Sequence, residues 1–207
     1  MCIRDRYYLT DLVDYASKRQ LKIGSTQTKE KEILGANNKE ELAVLYKSLV
    51  ALNVEEAKKK GTIFKDEATC YVEGNLKVGK DVRIGSNVTI KGDVKIGNDV
   101  SIESNVVLAN VNIGDNSVIK DFCSVEDSTI AKNVEVGPFA RLRDGVVLDD
   151  SAKVGNFVEI KKSKIGEGSK ANHHAYLGDA KVGKKVNIGA GTITCNFDGI
   201  KKSKTKI

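Results

Sequence analysis

The sequence predicts a mainly β protein whose larger part, residues 61–207, is a parallel β-helix of hexapeptide repeats. One aliphatic residue returns about every six positions, a period that neither a helical heptad nor an alternating strand produces. Its members are Val78, Ile84, Ile90, Ile96, Ile102, Leu108, Ile113, Ile119, Val125, Ile130, Val136, Leu142, Leu148, Val154, Ile160, Ile165, Ala171, Leu177, Val182 and Ile188. Aromatic residues make up only 5% of the chain, so thin layers of Val and Ile must fill the interior.

The positions where this period shortens indicate a three-sided coil. Three six-residue sides close a triangular coil of about 18 residues with the aliphatic side chains stacked inside. Five-residue steps occur at 108→113, 125→130, 160→165 and 177→182, and within each pair the two steps lie 17 residues apart. The shortened step therefore falls on the same side of the prism each time. Prisms of this kind are left-handed, an exception to the usual right-handed crossover, and we expect that hand here.

Glycine frequently follows the aliphatic residue of the repeat. The glycines in this position are Gly79, Gly85, Gly97, Gly114, Gly137, Gly155, Gly166, Gly178, Gly183 and Gly189. Glycine adopts backbone angles that other residues rarely reach. We therefore interpret these glycines as corner residues of the coil.

Residues 1–38 contain too little apolar sequence to bury a core. They mix a short helical pattern (Leu9, Leu12, Val13 and Tyr15) with a strand expected around residues 21–23. We interpret this segment as the C-terminal remnant of a larger α/β domain. Its first six residues, MCIRDR, read poorly as the start of a domain.

Residues 39–60 are expected to form a linker helix. Asn38 is placed to cap it, and Glu40 and Glu41 favour the positive end of the helix dipole. An apolar face at three- and four-residue steps follows, and the helix should end in the lysine run before Gly61. The residues of that face are Leu42, Leu45, Leu49 and Leu52. We expect this helix to pack on a neighbouring domain.

Composition narrows the possible functions. The net charge is +6, but no interleaved aromatic and basic pattern suggests nucleic-acid binding, so an anionic small substrate is the simpler explanation. The four cysteines are far apart with no CxxC pair, as expected of reduced thiols in an intracellular protein. No apolar run approaches the length of a membrane span and no signal peptide is visible. We expect a cytoplasmic protein.

Because the coils stack, the distance between two residues along the sequence predicts whether they are neighbours in the structure. Coils stack about 4.8 Å apart, so residues one coil apart become neighbours. Arg143 and Lys161 are 18 apart and should occupy adjacent rungs. Such a pair suits a phosphate group. The alternative is a solvated basic patch with Asp144 or Glu159 as the counter-charge.

The same counting places an imidazole near this pair. His173 should neighbour Ala190, and Tyr176 should lie on the edge that carries Lys161. By the same count, Asn187 should lie over Lys170. In an extended segment only one of the two adjacent histidines, at 173 and 174, can face the site. An imidazole titrates near neutral pH and suits a general base. The alternative is a solvated surface histidine, and a zinc hydratase is disfavoured because two adjacent histidines cannot both ligate.

Six motifs give residues 7–207 a family resemblance. They are YYLTD (7–11), GANN (35–38), GPFARLR (137–143), VGNFVEIKK (154–162), HHAYLGDA (173–180) and NIGAGTITCNFDG (187–199). The chain resembles the bacterial bifunctional family of N-acetylglucosamine-1-phosphate uridylyltransferase/glucosamine-1-phosphate acetyltransferase, which makes UDP-N-acetylglucosamine. The resemblance implies a left-handed β-helix that works as a homotrimer. It also implies acetyl transfer from acetyl-CoA to the amine of glucosamine 1-phosphate.

The resemblance assigns roles by motif position. It makes His173 the general base. It makes the sugar-phosphate ligands Arg143, Lys161, Tyr176, Asn187 and, in addition, Lys202. It places the acetyl-CoA contacts at Ala190, Asn196 and Phe197, where the family often has Tyr at the last position, so a backbone contact is expected there. It makes Asn37 a ligand of Mg²⁺ and UDP-N-acetylglucosamine in the uridylyltransferase half.

The chain departs from the family at both ends. Residues 1–6 do not match, nearly all of the nucleotidyltransferase domain is absent before residue 7, and further coils would follow residue 207. An uncapped coil exposes a sheet edge, so we expect a fragment without uridylyltransferase activity and with impaired acetyl transfer. Two alternatives stay open: a non-catalytic trimerising scaffold, and a hexapeptide acyltransferase with another acceptor.

Overall fold

The computed structural model describes residues 8, 10–29 and 33–207. The chain divides into two compact units, Met1–Leu45 and Tyr46–Ile207. Expectations that concern residues 1–7 and Leu9, including the thiol of Cys2, lie outside the described residues.

In the first unit, the helical pattern is confirmed and the strand is not. Helix α1 spans Asp11–Lys18. Residues 21–23 form no strand, and Leu21 and Ile23 are 56% and 53% exposed. A strand needs a neighbour to satisfy its backbone groups, and the described part of this unit supplies none.

Helix α2, Lys39–Lys59, begins and ends where the sequence predicts. The backbone N–H of Glu41 donates to Asn38 Oδ1 at 2.8 Å, and Asn38 Nδ2 donates back to Glu41 Oε1 at 2.9 Å. These two bonds satisfy the helix start reciprocally.

The apolar face expected on α2 is wrong in its register. The helix buries Val50, Val54 and Ala57, whereas Leu42 and Leu49 are each 56% exposed. Within the second unit, α2 packs on the β-helix core through Val54, and Asn53 Nδ2 donates to the carbonyl of Val72 at 2.8 Å. The position of the first coil therefore selects the buried face, and the leucine spacing does not.

Seventeen short strands wind into a parallel β-helix. They are β1 Ile63–Phe64, β2 Tyr71–Val78, β3 Arg83–Ile84, β4 Thr89–Ile96, β5 Ser101–Ile102, β6 Val107–Ile113, β7 Val118–Ile119, β8 Ser124–Ile130, β9 Glu135–Val136, β10 Arg141–Arg143, β11 Val147–Leu148, β12 Lys153–Lys161, β13 Lys164–Ile165, β14 Lys170–Gly178, β15 Ala180–Val182, β16 Asn187–Ile188 and β17 Thr205–Lys206. A 3₁₀ turn at Glu67–Thr69 lies between β1 and β2. Each strand pairs with the strand one coil away, and the pairs are parallel.

The three sides of the coil follow the predicted ladder. Side A stacks Leu108, Val125, Leu142, Ile160 and Leu177. Side B stacks Ile113, Ile130, Leu148, Ile165 and Val182. Side C stacks Ile102, Ile119, Val136, Val154, Ala171 and Ile188. Every one of these residues is buried, so the six-residue period did identify the core.

A second buried ladder lies two residues before the first, and the six-residue count missed it. Its apolar members include Val82, Val88, Val100, Val134, Val146 and Val158. Where this position is serine, the hydroxyl donates to a backbone carbonyl, as Ser163 Oγ does to Lys161 O at 2.7 Å. Each layer is therefore completed either by an apolar residue or by a serine whose hydroxyl is hydrogen-bonded to the backbone.

The interpretation of the repeat glycines as corner residues with unusual backbone angles is wrong for most of them. Their lack of a side chain instead lets neighbouring coils approach closely. Among the ten, only Gly137 has a φ in the left-handed region, at 101°. A Cβ on Gly155 would lie 2.0 Å from the carbonyl oxygen of Asn172 in the next coil. The left-handed corners are occupied instead mainly by Asn, Asp and Phe, such as Asn105 at φ 60° and Phe139 at φ 53°.

Within the described residues, no helix is both long enough and apolar enough to cross a membrane.

Candidate functional site

Arg143 and Lys161 occupy adjacent rungs at the end of side A, as the spacing predicts. Strands β10 and β12 pair Leu142 with Ile160 and Arg143 with Lys161. The side chains are only 23% and 21% exposed. Buried aliphatic residues before each cation fix its direction, so both charged ends project from one edge of the prism.

Both carboxylates that the sequence offered as counter-charges contact this pair. Glu159 Oε1 accepts from Arg143 Nε at 2.8 Å and lies 2.7 Å from its Nη2. Asp144 Oδ2 lies 3.2 Å from Arg143 Nη1 and 3.4 Å from Lys161 Nζ. The hydrogen bond to Glu159 raises the pKa of Arg143, and the guanidinium stays charged. Asp144 and Glu159 together balance the two cations, so an anion that binds at this edge must compete with these carboxylates.

Tyr176 lies over the same edge. It pairs with Glu159 in the parallel ladder between β12 and β14, and Lys161 pairs with Gly178. A Cβ on Gly178 would lie 2.7 Å from the Tyr176 hydroxyl, so the missing side chain makes room for the phenol above Lys161. The structure therefore brings Arg143, Lys161 and Tyr176 together.

His173 faces the corner between sides C and A and contacts Asn156, one coil below. The ring atom Nδ1 lies 2.8 Å from Asn156 Oδ1, and the two residues pair in the parallel ladder. An amide oxygen only accepts, so Nδ1 carries a hydrogen, and in the neutral imidazole the lone pair is on Nε2. His173 is exposed, and its Nε2 has the form that a general base needs.

His174 points elsewhere, as expected for an adjacent residue. Its ring stacks on Phe157 with centroids 5.1 Å apart, and this stack continues through Phe139 to Phe122. All four residues have a left-handed φ. The aromatic column therefore fixes His174 at the corner and separates it from His173.

Asn187 and Ala190 lie on the following coil. Asn187 pairs with Lys170, as the spacing predicts. The same offset of 17 continues to the corner, where Gly191 N donates to the carbonyl of His174 at 2.8 Å. Ala190 therefore neighbours His173.

Asn196, Phe197 and Lys202 lie in a loop that leaves the coil between β16 and β17. Asn196 Nδ2 donates to the carbonyl of Gly178 at 3.2 Å and to Asp179 Oδ2 at 2.9 Å, which ties the loop to the coil below. Phe197 and Lys202 form an antiparallel bridge and are exposed. In the described structure no ion pair or side-chain hydrogen bond joins Lys202 to Arg143 or Lys161.

Asn37 belongs to the first unit, and its amide is engaged locally. Its backbone N and Nδ2 lie 2.7 Å and 3.2 Å from Glu41 Oε2. The described residues contain no group of three His, Cys, Asp or Glu side chains that could hold a metal ion.

Asn156 is the functional candidate that the sequence analysis missed. It lies 17 residues before His173, one short coil away, inside the motif VGNFVEIKK. Counting back one coil from His173 would have found it.

The chain is similar to several known proteins. A family model described as the GMPPB C-terminal domain matches residues 67–144. The bifunctional protein GlmU of Paramagnetospirillum magneticum is 41% identical over 204 residues, which is 99% of this chain and 42% of that protein. GlmU of Idiomarina loihiensis is 48% identical over 118 residues, 56% of this chain and 22% of that protein. GlmU of Neisseria meningitidis is 44% identical over 117 residues, 56% of this chain and 26% of that protein.

Two solved structures also match. The UDP-N-acetylglucosamine acyltransferase of Francisella novicida has a TM-score of 0.38 at 17% identity, over 64% of each chain. The enzyme of the same name from Campylobacter jejuni has a TM-score of 0.32 at 14% identity, over 64% of this chain and 67% of that one. The chain spans 42% or less of the length of the three curated relatives. Over 99% of its own length, this chain is similar to a bifunctional GlmU protein.

Proposed function

We propose that this chain carries an acetyltransferase site that moves the acetyl group of acetyl-CoA to the amine of glucosamine 1-phosphate. The observation that carries the proposal is the hydrogen bond from His173 to Asn156, 2.8 Å long, which leaves the lone pair of Nε2 directed outward. The name of the relatives, bifunctional protein GlmU, supports it.

The reaction needs one base and one positioned carbonyl. The neutral amine attacks the thioester carbonyl and forms the C–N bond, and His173 Nε2 accepts the proton that the amine loses. The C–S bond then breaks, and the imidazolium returns the proton to the departing thiolate. Such a base contributes about 10²–10⁴ in rate.

Arg143 and Lys161 would bind the phosphate of the sugar. Arg offers a planar fork of donors and Lys a point charge, and both are held at adjacent rungs. The Tyr176 hydroxyl and the Asn187 amide would hydrogen-bond the sugar, with Lys202 contributing from the loop. Binding would set the amine beside His173, and positioning of this kind lowers the barrier.

The corner at Ala190 is open. A Cβ added to Gly189 or Gly191 would meet no atom within 4 Å, so the surface beside His173 is open. We assign the acetyl-CoA contacts to Ala190, Asn196 and Phe197, the last through its backbone. Acetyl-CoA supplies the activated carbonyl there.

The magnesium assignment has weaker support in this chain. Asn37 offers one amide beside Glu41, and the described residues contain no three-ligand group. The described residues around Asn37 do not by themselves make a complete Mg²⁺ site. UDP-N-acetylglucosamine would be the product of the whole bifunctional protein.

We further infer a cytoplasmic homotrimer in which neighbouring β-helices complete the site. The exposed loop that carries Phe197 and Lys202 can reach a second copy of the chain. Analytical ultracentrifugation of the 207-residue chain tests this, since a monomer at all concentrations would contradict it.

The activity is tested by thiol release from acetyl-CoA in the presence of glucosamine 1-phosphate. His173→Ala should lower the rate about a hundredfold. The matched control is His174→Phe, which removes the neighbouring imidazole and keeps the aromatic column, and should leave the rate within about threefold. Equal losses in both variants, or release that does not depend on the amino sugar, would contradict the proposal. Glucosamine as acceptor would point instead to a related acyltransferase with another acceptor.

A further inference from the structure

A cleft of about 400 Å³ opens on side B, around the corner from Arg143 and Lys161. Five lysines line it: Lys162, Lys164, Lys181, Lys204 and Lys206. All five side chains are exposed, whereas Ser163 and Ala180 form a buried floor. We call this surface the lysine cleft.

Three of these lysines form a column one rung apart. Lys164 pairs with Lys181, and Lys181 pairs with Lys206 in the parallel ladder of β13, β15 and β17. Rungs are about 4.8 Å apart, so three ammonium groups stand on the same face at the closest spacing that the fold allows. Like charges at this distance repel, and an anion beside the column would relieve that repulsion.

Few carboxylates balance the positive charge of the lysine cleft. Lys164 Nζ lies 3.0 Å from Asp149 Oδ2. In the part of the chain that the structure describes, the other four lysines make no ion pair. The one lining carboxylate, Asp179, accepts a hydrogen bond from Asn196 Nδ2 at 2.9 Å and is partly used by it.

Elsewhere on the prism, carboxylates of adjacent coils compensate several of the lysines. On side C, Glu135 lies between Lys120 and Lys153 and contacts both. At the next corner, Lys184 Nζ lies 2.8 Å from Glu167 Oε2. Adjacent coils can therefore supply alternating charges, and on side B they supply lysine at three successive rungs.

We propose that the lysine cleft binds a phosphate chain, such as a diphosphate or triphosphate group. A column of cations matches an anion whose charges are spread along its length better than it matches a single phosphate. Lysine serves as a point charge for phosphate. No aromatic ring lines the cleft, so it lacks the stacking platform that single-stranded nucleic acids use.

The site is distinct from the sugar-phosphate cluster. Lys161 is 21% exposed and lies 3.4 Å from Asp144 Oδ2, whereas the next residue, Lys162, has a left-handed φ of 47° and lines the cleft. The backbone turns the corner between the two lysines, so they serve different sides. The phosphate chain could be a free inorganic one or the phosphate groups of a nucleotide such as coenzyme A.

Calorimetric titration of the 207-residue chain with inorganic triphosphate tests the proposal. We expect saturable binding that weakens with salt. The double variant Lys181→Gln/Lys206→Gln should weaken it at least about tenfold, a loss typical of removed charge-assisted contacts. The matched control is Lys77→Gln/Lys95→Gln, which removes two lysines on adjacent rungs outside the cleft and should change the affinity less than about twofold.

The possible results distinguish a free phosphate chain from a nucleotide as the ligand. They also distinguish failure of this proposal from failure of the proposed acetyltransferase activity. Loss of triphosphate binding with unchanged coenzyme A binding assigns the cleft to free phosphate chains, and loss of both assigns it to a nucleotide. Absence of saturable binding by either probe, or equal losses in the control pair, overturns the proposal. His173→Ala should leave triphosphate binding unchanged, so a chain that binds triphosphate without transferring acetyl groups would refute only the proposed acetyltransferase.

Discussion

Asn156 Oδ1 accepts a hydrogen bond from His173 Nδ1 at 2.8 Å, from the coil directly below. This contact selects the tautomer of the neutral imidazole, since the amide oxygen accepts from Nδ1–H and the lone pair is then on Nε2. It also holds the ring of an exposed side chain in one orientation. Asn156 therefore acts as a positioning residue through His173.

Removing this contact should impair acetyl transfer without unfolding the protein. Asn156→Ala should lower kcat at least about tenfold, because the imidazole loses both its orientation and its preferred tautomer. Asn156→Asp should restore the orientation but stabilise the imidazolium, so the acid limb of the pH–rate profile should move to higher pH. The profiles are measured by thiol release. A purely structural role would lower the rates of both variants without moving the limb.

Lys161 should contribute mainly to sugar-phosphate binding. Lys161→Ala should raise the KM for glucosamine 1-phosphate about ten- to a hundredfold, as expected for a charged hydrogen bond, with kcat changed far less. Lys162→Ala is the matched control, since it removes the adjacent charge on the other side of the corner and should leave KM unchanged. A large fall in kcat with constant KM for Lys161→Ala would contradict the assignment.

The sequence predicted which residues are neighbours wherever that depends only on the number of residues in a coil. The pairing of Arg143 with Lys161 follows from a coil of 18 residues, and the burial of the ladder makes that count rigid. Asn156 was equally accessible to the count, one coil before His173, but the choice of an amide as partner has no sequence signature. Asp144 and Glu159 were offered only as alternative counter-charges of the cation pair. Side-chain torsions decide which of them makes contact, and sequence spacing does not fix those torsions.

Two other features could not be derived from spacing. The buried face of α2 depends on where the first coil lies, so Val54 is buried and Leu49 is exposed. A repeated glycine has two possible causes, a special backbone angle or a close neighbour, and the sequence shows the glycine alone. At Gly155 the neighbour is the cause, since its φ is ordinary and the next coil is in contact.

This distinction between the glycines can be measured. Gly155→Ala should lower the free energy of unfolding by about 3 kcal/mol, because its Cβ would lie 2.0 Å from the carbonyl oxygen of Asn172 and the coils must separate. Gly189→Ala is the control, since its Cβ would meet no atom within 4 Å, and it should change stability by less than about 0.5 kcal/mol. Urea unfolding followed by circular dichroism measures both. Similar values for the two variants would contradict close coil contact as the reason for glycine.

The cysteines should differ in reactivity because of burial. Cys70 and Cys123 are buried and Cys195 is exposed. Burial raises the pKa of Cys123 to about 11, and it also raises the pKa of Cys70. Since the thiolate is the reactive form, brief treatment with iodoacetamide at pH 8 should alkylate Cys195 and spare the other two, as read by peptide mass spectrometry.

The raised pKa of Cys123 also predicts how stability changes at alkaline pH. The folded state holds its proton to about pH 11, whereas the unfolded thiol loses its proton near its ordinary value of 9.0. The folded state therefore binds more protons between these values, and stability should fall as the pH rises through that window. Cys123→Ser keeps a small side chain but does not titrate there, so its free energy of unfolding should decline less between pH 9 and pH 11. An identical decline in both proteins would show that Cys123 does not cause it.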